Sequence, residues 1–223
     1  MANPIKPTIQ TEFITLALLV LTIAASVFFY NNLPERIAIH WNYAGQVDGY
    51  GSGQTQAIVF PLLIIGMYLL FLLIPYLDPK KERYEQFNKI YHIFKSIIMG
   101  LIVVIYMIIG LNGLGYNLPV GVIMPGLIGL LFIVLGNYLG KIKMNWFMGI
   151  RTPWTMSSEN VWNKTHRFGG KMFILAGLLM IAQIFLPLNF RLPVFIFSIA
   201  VILFGTVGYS YLVYLREKKN KAN

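Results

Sequence analysis

Residues 57–77 read AIVFPLLIIGMYLLFLLIPYL, an uninterrupted apolar run without a single charge. A helix rises 1.5 Å per residue, so about 20 such residues cross the hydrocarbon core of a bilayer. Comparable runs recur at 13–30, 93–111, 119–139, 172–188 and 192–215, which predicts six membrane-spanning helices arranged as three antiparallel hairpins. The composition agrees: 57% of the 223 residues are hydrophobic, only 12% are charged, and the mean hydropathy is +0.66. A soluble globular chain carries about 25% charged residues, so the apolar surplus has to face lipid. The expected fold is therefore all-α and polytopic. The first run is too long for a signal-peptide core and lacks a small-residue cleavage site, so it reads as a retained span. Pro125 falls inside the fourth run, where a kink or a late helix start is expected.

Charge then orients the spans. The chain carries 18 Lys and Arg against 8 Asp and Glu, a net charge of +10. All of the Lys and Arg except Arg36 and Arg191 fall on the side that also holds the two chain ends. The positive-inside rule makes that side cytoplasmic, with both termini inside and the protein multi-pass in the cell membrane. A basic excess of this kind is a by-product of insertion and does not point to direct nucleic-acid binding. No Cys is present, which removes disulfides, thiolate nucleophiles and Cys-ligated zinc.

Every acidic residue, Arg and His is expected outside the helix interiors, with the Lys95 stem reaching the interface. Coupled transporters and proton relays place titrating groups at mid-membrane, so this pattern disfavours a small transporter or channel, which stays open as an alternative. Asn137 and Gln183 are the candidates for buried interhelical hydrogen bonds, and Gly136 and Gly140 are spaced for close helix approach. The expected organisation is a two-helix part at 1–77 with a structured outer loop at 31–56. A charged cytoplasmic linker at 78–92 follows, and then a four-helix part at 93–223 with a motif loop at 141–171.

The outer loop contains LPERIAIHWNYAGQVDGYGSG from Leu33 to Gly53. Ile37, Ile39 and Trp41 alternate with Ala38, His40 and Asn42, and Ala44-Gly45 is a turn signal before Val47 to Tyr50, which together predict a short hairpin. Trp41 and Tyr43 are placed at headgroup level, with His40, Asn42 and Asp48 bonding the loop backbone. Glu35, His40 and Asp48 match no established metal-ligand spacing, so neither a metal nor another cofactor is assigned.

The inner loop reads GNYLGKIKMNWFMGIRTPWTMSSENVWNKTHRFGG from Gly136 to Gly170. Ser157 is the expected N-cap of a short helix from Ser158 to about Phe168, with Gly169-Gly170 ending it. Glu159, Trp162 and His166 then share one helix face. A Glu beside a His can do general acid/base work, so a membrane enzyme acting at the inner interface on Glu159 and His166 is a second alternative, although no nucleophile or metal set accompanies them. In the structural reading, Trp146, Trp154 and Trp162 lie at the interface while Lys164, Arg167 and Lys171 meet anionic headgroups. Recognition of a ligand or partner is the other reading, since clustered aromatic and Arg side chains also make binding hot spots.

Two stretches carry a family resemblance. LPERIAIHWNYAGQVDGYGS resembles the domain of unknown function found at the front of SdpI-type membrane proteins, and GIRTPWTMSSENVWNKTHRFGGK looks like the SdpI family signature. The family often has Glu where Asn160 stands, which would complete a capping box with Ser157. The resemblance implies a non-enzymatic immunity and signalling role: protection against a secreted toxic peptide, and retention of a transcriptional repressor at the membrane. Its motif falls on Arg151, Thr152, Pro153, Trp154, Ser157, Ser158, Glu159, Trp162, Lys164, Thr165, His166 and Arg167 inside. Outside it falls on His40, Trp41, Asn42, Gly45 and Asp48.

Overall fold

Among the described residues, six helices are long and apolar enough to cross a membrane. The computed structural model describes residues 5–222, and the elements run α1 (Ile9–Asn32), β1 (Arg36–Trp41), β2 (Val47–Ser52), α2 (Gly53–Leu77), α3 (Asn88–Gly113), α4 (Val120–Leu139), α5 (Pro153–Ser157), α6 (Glu159–Ala182) and α7 (Leu188–Ala222). A 3₁₀ stretch, Lys81–Phe87, leads into α3, and another, Gln183–Phe185, closes α6. All but the short α5 are long and apolar enough to span a bilayer. Exposed Phe, Leu, Ile and Val side chains cover them, as in Phe13, Val20, Leu62 and Phe204, because lipid rather than water is their solvent. The chain is a multi-pass membrane protein.

Two compact units share these helices. One comprises Lys6–Leu73 and His92–Met124. Thr8 caps α1 there, accepting from the Thr11 amide, while Thr11 returns a bond to the Thr8 amide. The core of this unit is aromatic: Phe29 of α1 meets Tyr106 of α3 edge-on at 5.3 Å, and Phe60 of α2 stacks on Tyr106 at 4.9 Å. Gly110 gives the Phe29 ring its space, since a Cβ there would overlap it.

The predicted hairpin is present. β1 and β2 pair antiparallel, with Arg36 opposite Ser52, Ile37 opposite Gly51 and Trp41 opposite Val47, and irregular register around His40. Ile37 is buried, while Ile39 and Trp41 pack on the cluster of Phe29, Leu33 and Tyr106. Trp41 is therefore partly covered by protein. Asn42 organises the turn as expected, its side-chain oxygen accepting from the amides of Ala44 and Gln46. Gly45 at φ +78° completes it. A Cβ on Gly45 would stand 2.9 Å from the Gly121 Cα, so the turn rests backbone to backbone on the start of α4.

The interior of this unit is not neutral. Glu12 lies inside the first turn of α1 and is buried, where the sequence reading kept all acids outside the helices. Lys95 is buried too, 1% exposed, instead of reaching the interface. Its Nζ lies 2.6 Å from both Glu12 carboxylate oxygens, and His92 Nδ1 lies 3.3 Å from one of them. The physical reason is that α1 and α3 each start earlier than hydropathy suggested, so one turn of each carries a polar group into the protein-packed face. There each charge has its counter-charge.

The other unit is built from residues 74–91 and 125–222. Here α4 and α6 pack through two pairs of glycines. A Cβ on Gly136 would stand 2.6 Å from the Gly170 carbonyl oxygen, and one on Gly129 would stand 2.7 Å from that of Gly177. Gly136 thus makes the close approach its spacing suggested, with Gly170 as the partner. α4 continues through Pro125, and α7 through Pro193. Gln183 is buried as expected, whereas Asn137 is exposed.

The fifth span departs most from expectation. The short helix expected at Ser158–Phe168 and the membrane span are one continuous α6 starting at Glu159. Gly169 and Gly170 do not end the helix, because they serve as contact points: a Cβ on Gly169 would overlap the Ile150 side chain, and Gly170 faces Gly136.

Replacing Glu12 by Ala should destabilise the protein by about 3–5 kcal/mol, because it leaves Lys95 buried without its partner. The double replacement of Glu12 and Lys95 by Leu should recover most of that loss. Both are read from reversible unfolding in mixed micelles, and equal losses for the single and double variants would contradict the pairing. Gly45→Val should also lower stability, by at least about 1 kcal/mol, from its left-handed backbone alone.

Candidate functional site

The motif loop is built around side chains that bond to backbone. Asn145 is fully buried; its Oδ1 accepts from the amides of Phe147 and Met148, and its Nδ2 donates to the carbonyls of Lys143 and Met148. This lets a loop with no regular structure enter the protein without orphaned polar groups. Gly149, at φ +108°, follows, and a Cβ there would overlap the His166 ring.

Two side chains of α6 receive the loop. Trp162 is fully buried and donates from Nε1 to the Ile142 carbonyl at 2.9 Å. His166 stacks on it, ring centres 4.0 Å apart. The His166 Nε2 accepts from the Ile150 amide at 2.9 Å, so Nδ1 carries the proton and donates to the Trp162 carbonyl at 2.8 Å. Both ring nitrogens are thus engaged by backbone. Trp162 is not at the interface, as the sequence reading had it, because α6 enters the protein at that height.

The next turn is capped twice. Thr152 is the N-cap of α5, with Pro153 in its first turn; Thr152 Oγ1 accepts from the Thr155 amide, and Thr155 Oγ1 accepts from the Thr152 amide. Thr155 also donates to the Ile150 carbonyl, and Thr152 to Ser210 on α7. Ser158, rather than Ser157, caps α6, because Ser157 ends α5. Position 160 therefore takes no part in a capping box. Asn160 instead donates to Glu217 of α7 at 2.9 Å, beside Ser158, whose hydroxyl donates to the same carboxylate at 2.8 Å. Lys221 pairs with it from the other side at 2.9 Å.

Glu159 faces outward and pairs with Arg83 at 3.0 Å. Although Glu159 and His166 both lie on α6, each has its own partners. Thr165 is buried, Trp154 packs on Tyr211 with ring centres 4.9 Å apart, and Arg151 donates to the Trp146 carbonyl. Trp146, Arg151, Pro153, Ser157, Lys164 and Arg167 remain exposed. On the hairpin, His40 Nδ1 and Asp48 Oδ1 lie 2.5 Å apart in an exposed pair, with Tyr43 and Tyr50 exposed nearby in sequence. His40 and Asp48 therefore bond each other, not the loop backbone. Among the described residues no three His, Asp or Glu side chains gather as a metal would require.

Residues 141–212 match the SdpI/YfhL protein family, and residues 17–65 match a domain of unknown function, DUF1648. A curated relative, the immunity protein SdpI of Bacillus subtilis (strain 168), is 24% identical over 171 residues, covering 77% of this chain and 80% of that protein. No solved structure matches.

The SdpI/YfhL segment depends on residues that sequence reading passed over. Asp78, just after α2 and 2% exposed, accepts from the Lys80 amide, the Tyr84 hydroxyl and the Trp146 amide at 2.7, 2.9 and 2.9 Å. It ties the linker that precedes α3 to the motif loop. The Asp-Pro pair at 78–79 is a turn signal that marks it, but its partner Trp146 stands 68 residues further along the chain and leaves no local trace. Glu217 was missed for the same reason, its partners Ser158 and Asn160 being 59 and 57 residues away.

His166→Phe should keep the stack on Trp162 while removing the acceptor for the Ile150 amide, at a cost of about 1–3 kcal/mol. Tryptic cleavage of the loop at Lys143 and Arg151 should accelerate accordingly, by about tenfold or more. An unchanged cleavage rate would show that His166 does not hold the loop.

Proposed function

We propose that this chain is a non-enzymatic immunity protein of the bacterial cell membrane, protecting its host against a secreted toxic peptide and passing the signal to a cytoplasmic partner. Its similarity to a protein named for immunity supports the class of function. The observation that carries the reading is the division within the motif loop. Trp162, His166, Thr152 and Thr155 are buried and hold the loop in place, whereas Trp146, Arg151, Lys164 and Arg167 are left exposed on it. A pre-ordered loop bearing an aromatic side chain and cations has the make-up of a protein-docking surface, because little entropy is lost on binding.

In this reading the termini and motif loop face the cytoplasm, and the hairpin faces outward. The hairpin offers Tyr43, Tyr50 and the His40–Asp48 pair to an amphipathic peptide. Occupancy there biases a two-state equilibrium that the motif loop reports, and a repressor held on that loop is the partner we infer from the resemblance. The natural absence of Cys makes the orientation directly testable. A single Cys at position 43 should react with an impermeant maleimide in whole cells, and one at 163 only after lysis.

Producing the chain in a strain sensitive to the peptide encoded beside its gene should raise survival, and unchanged survival at normal membrane levels would overturn the immunity reading. Trp154→Ala and Arg151→Ala should abolish the transcriptional response while preserving membrane levels. A response that persists in both variants would place the partner elsewhere.

A further inference from the structure

Between the end of α4 and the middle of α6 lies a cleft of about 280 Å³ whose rim is cationic. Lys141 enters it from the end of α4, and Arg167 and Lys171 enter it from α6, four residues apart and so on one face. All three are exposed, and among the described residues none of them pairs with a carboxylate. Lys141 sits 5.0 Å over the Tyr138 ring, a contact that leaves its charge unneutralised. Glycines open the floor: Gly140 has only hydrogen toward Arg167, where a Cβ would stand 3.3 Å from Cγ. Further along the same face of α6 the lining turns apolar at Ile174.

Three uncompensated cations converging on a recess that continues as apolar helix surface is the order of groups an acylated anion requires. We propose that this cleft binds the phosphate headgroup of an anionic phospholipid, with its acyl chains along α4 and α6. Basic pockets between membrane helices on the positively charged side are where such headgroups bind. Free phosphate shares the headgroup chemistry but would gain nothing from the apolar end. The site needs neither a toxin nor a protein partner, and it shares only Arg167 with the docking surface proposed above.

The test uses the full chain in neutral detergent and measures binding of short-chain dioctanoyl phosphatidylglycerol by calorimetry. Dioctanoyl phosphatidylcholine and inorganic phosphate serve as competitors at equal concentration. Binding should be saturable, and neither competitor should displace the anionic lipid. The K141Q/R167Q/K171Q variant should bind about a hundredfold more weakly, each cation contributing about fivefold. Gly140→Leu, which keeps every charge but fills the recess, should also lose binding. A control variant, R216Q/K218Q/K219Q, removes as much charge elsewhere and should bind like the unmodified chain. Should the triple variant fail to fold, K141Q and K171Q are read singly for their fivefold losses. The proposal is overturned by equal affinity in the triple variant, by an equal loss in the control, or by displacement with phosphatidylcholine or inorganic phosphate.

Discussion

Hydrocarbon accepts and donates no hydrogen bonds, so every polar group that a membrane helix carries inward must find its partner within the chain. Much of this structure follows from that constraint. Glu12 and Lys95 enter the packed faces of α1 and α3 only because each neutralises the other, with His92 beside them. Ser26 on α1 donates to the Ala57 carbonyl at the start of α2, and Thr22 to the Leu18 carbonyl a turn earlier. The motif loop obeys the same rule, since Asn145, Asp78 and His166 between them occupy the amides of Lys80, Trp146, Phe147, Met148 and Ile150.

The loop's chemistry follows from its architecture. A histidine whose two nitrogens are committed to backbone is a structural bracket, and its stacked Trp162 is the surface it is clamped against. Glu159, with Arg83 as partner, belongs to a different part of the surface. What remains accessible is a display of cationic and aromatic side chains on an ordered backbone, suited to recognition. Burial of the anchoring residues and exposure of the rest are complementary, because only a well-anchored loop holds a binding surface in one geometry.

Small residues connect packing to the cleft. Gly129 and Gly136 on α4 face Gly177 and Gly170 on α6, so the two backbones come together without side chains between them. Gly140 lies just past the end of α4, where it comes close to Arg167 of α6 and lines the cleft. The same residue type brings the helix pair together along its length and lines the cleft at the charged rim.

The number of spans, their rough positions and the hairpin were legible in the sequence because each depends on local pattern: long apolar runs, strict alternation at Ile37, Ile39 and Trp41, and a turn at Ala44-Gly45. The motif residues of the candidate site were legible as a set, but their roles were not. Whether Gly169-Gly170 ends a helix or packs it depends on the presence of Gly136 and Ile150 opposite. Whether Lys95 reaches water or stays inside depends on Glu12, eighty-three residues away along the chain. His166 reads as a reagent or a bracket according to where the Ile150 amide falls. Local sequence determined which segments are helical and apolar, since hydrophobic transfer and backbone geometry act residue by residue. Only the tertiary structure decided which polar groups meet, because in a low-dielectric interior a charge or an amide is tolerated only where a distant segment supplies its partner.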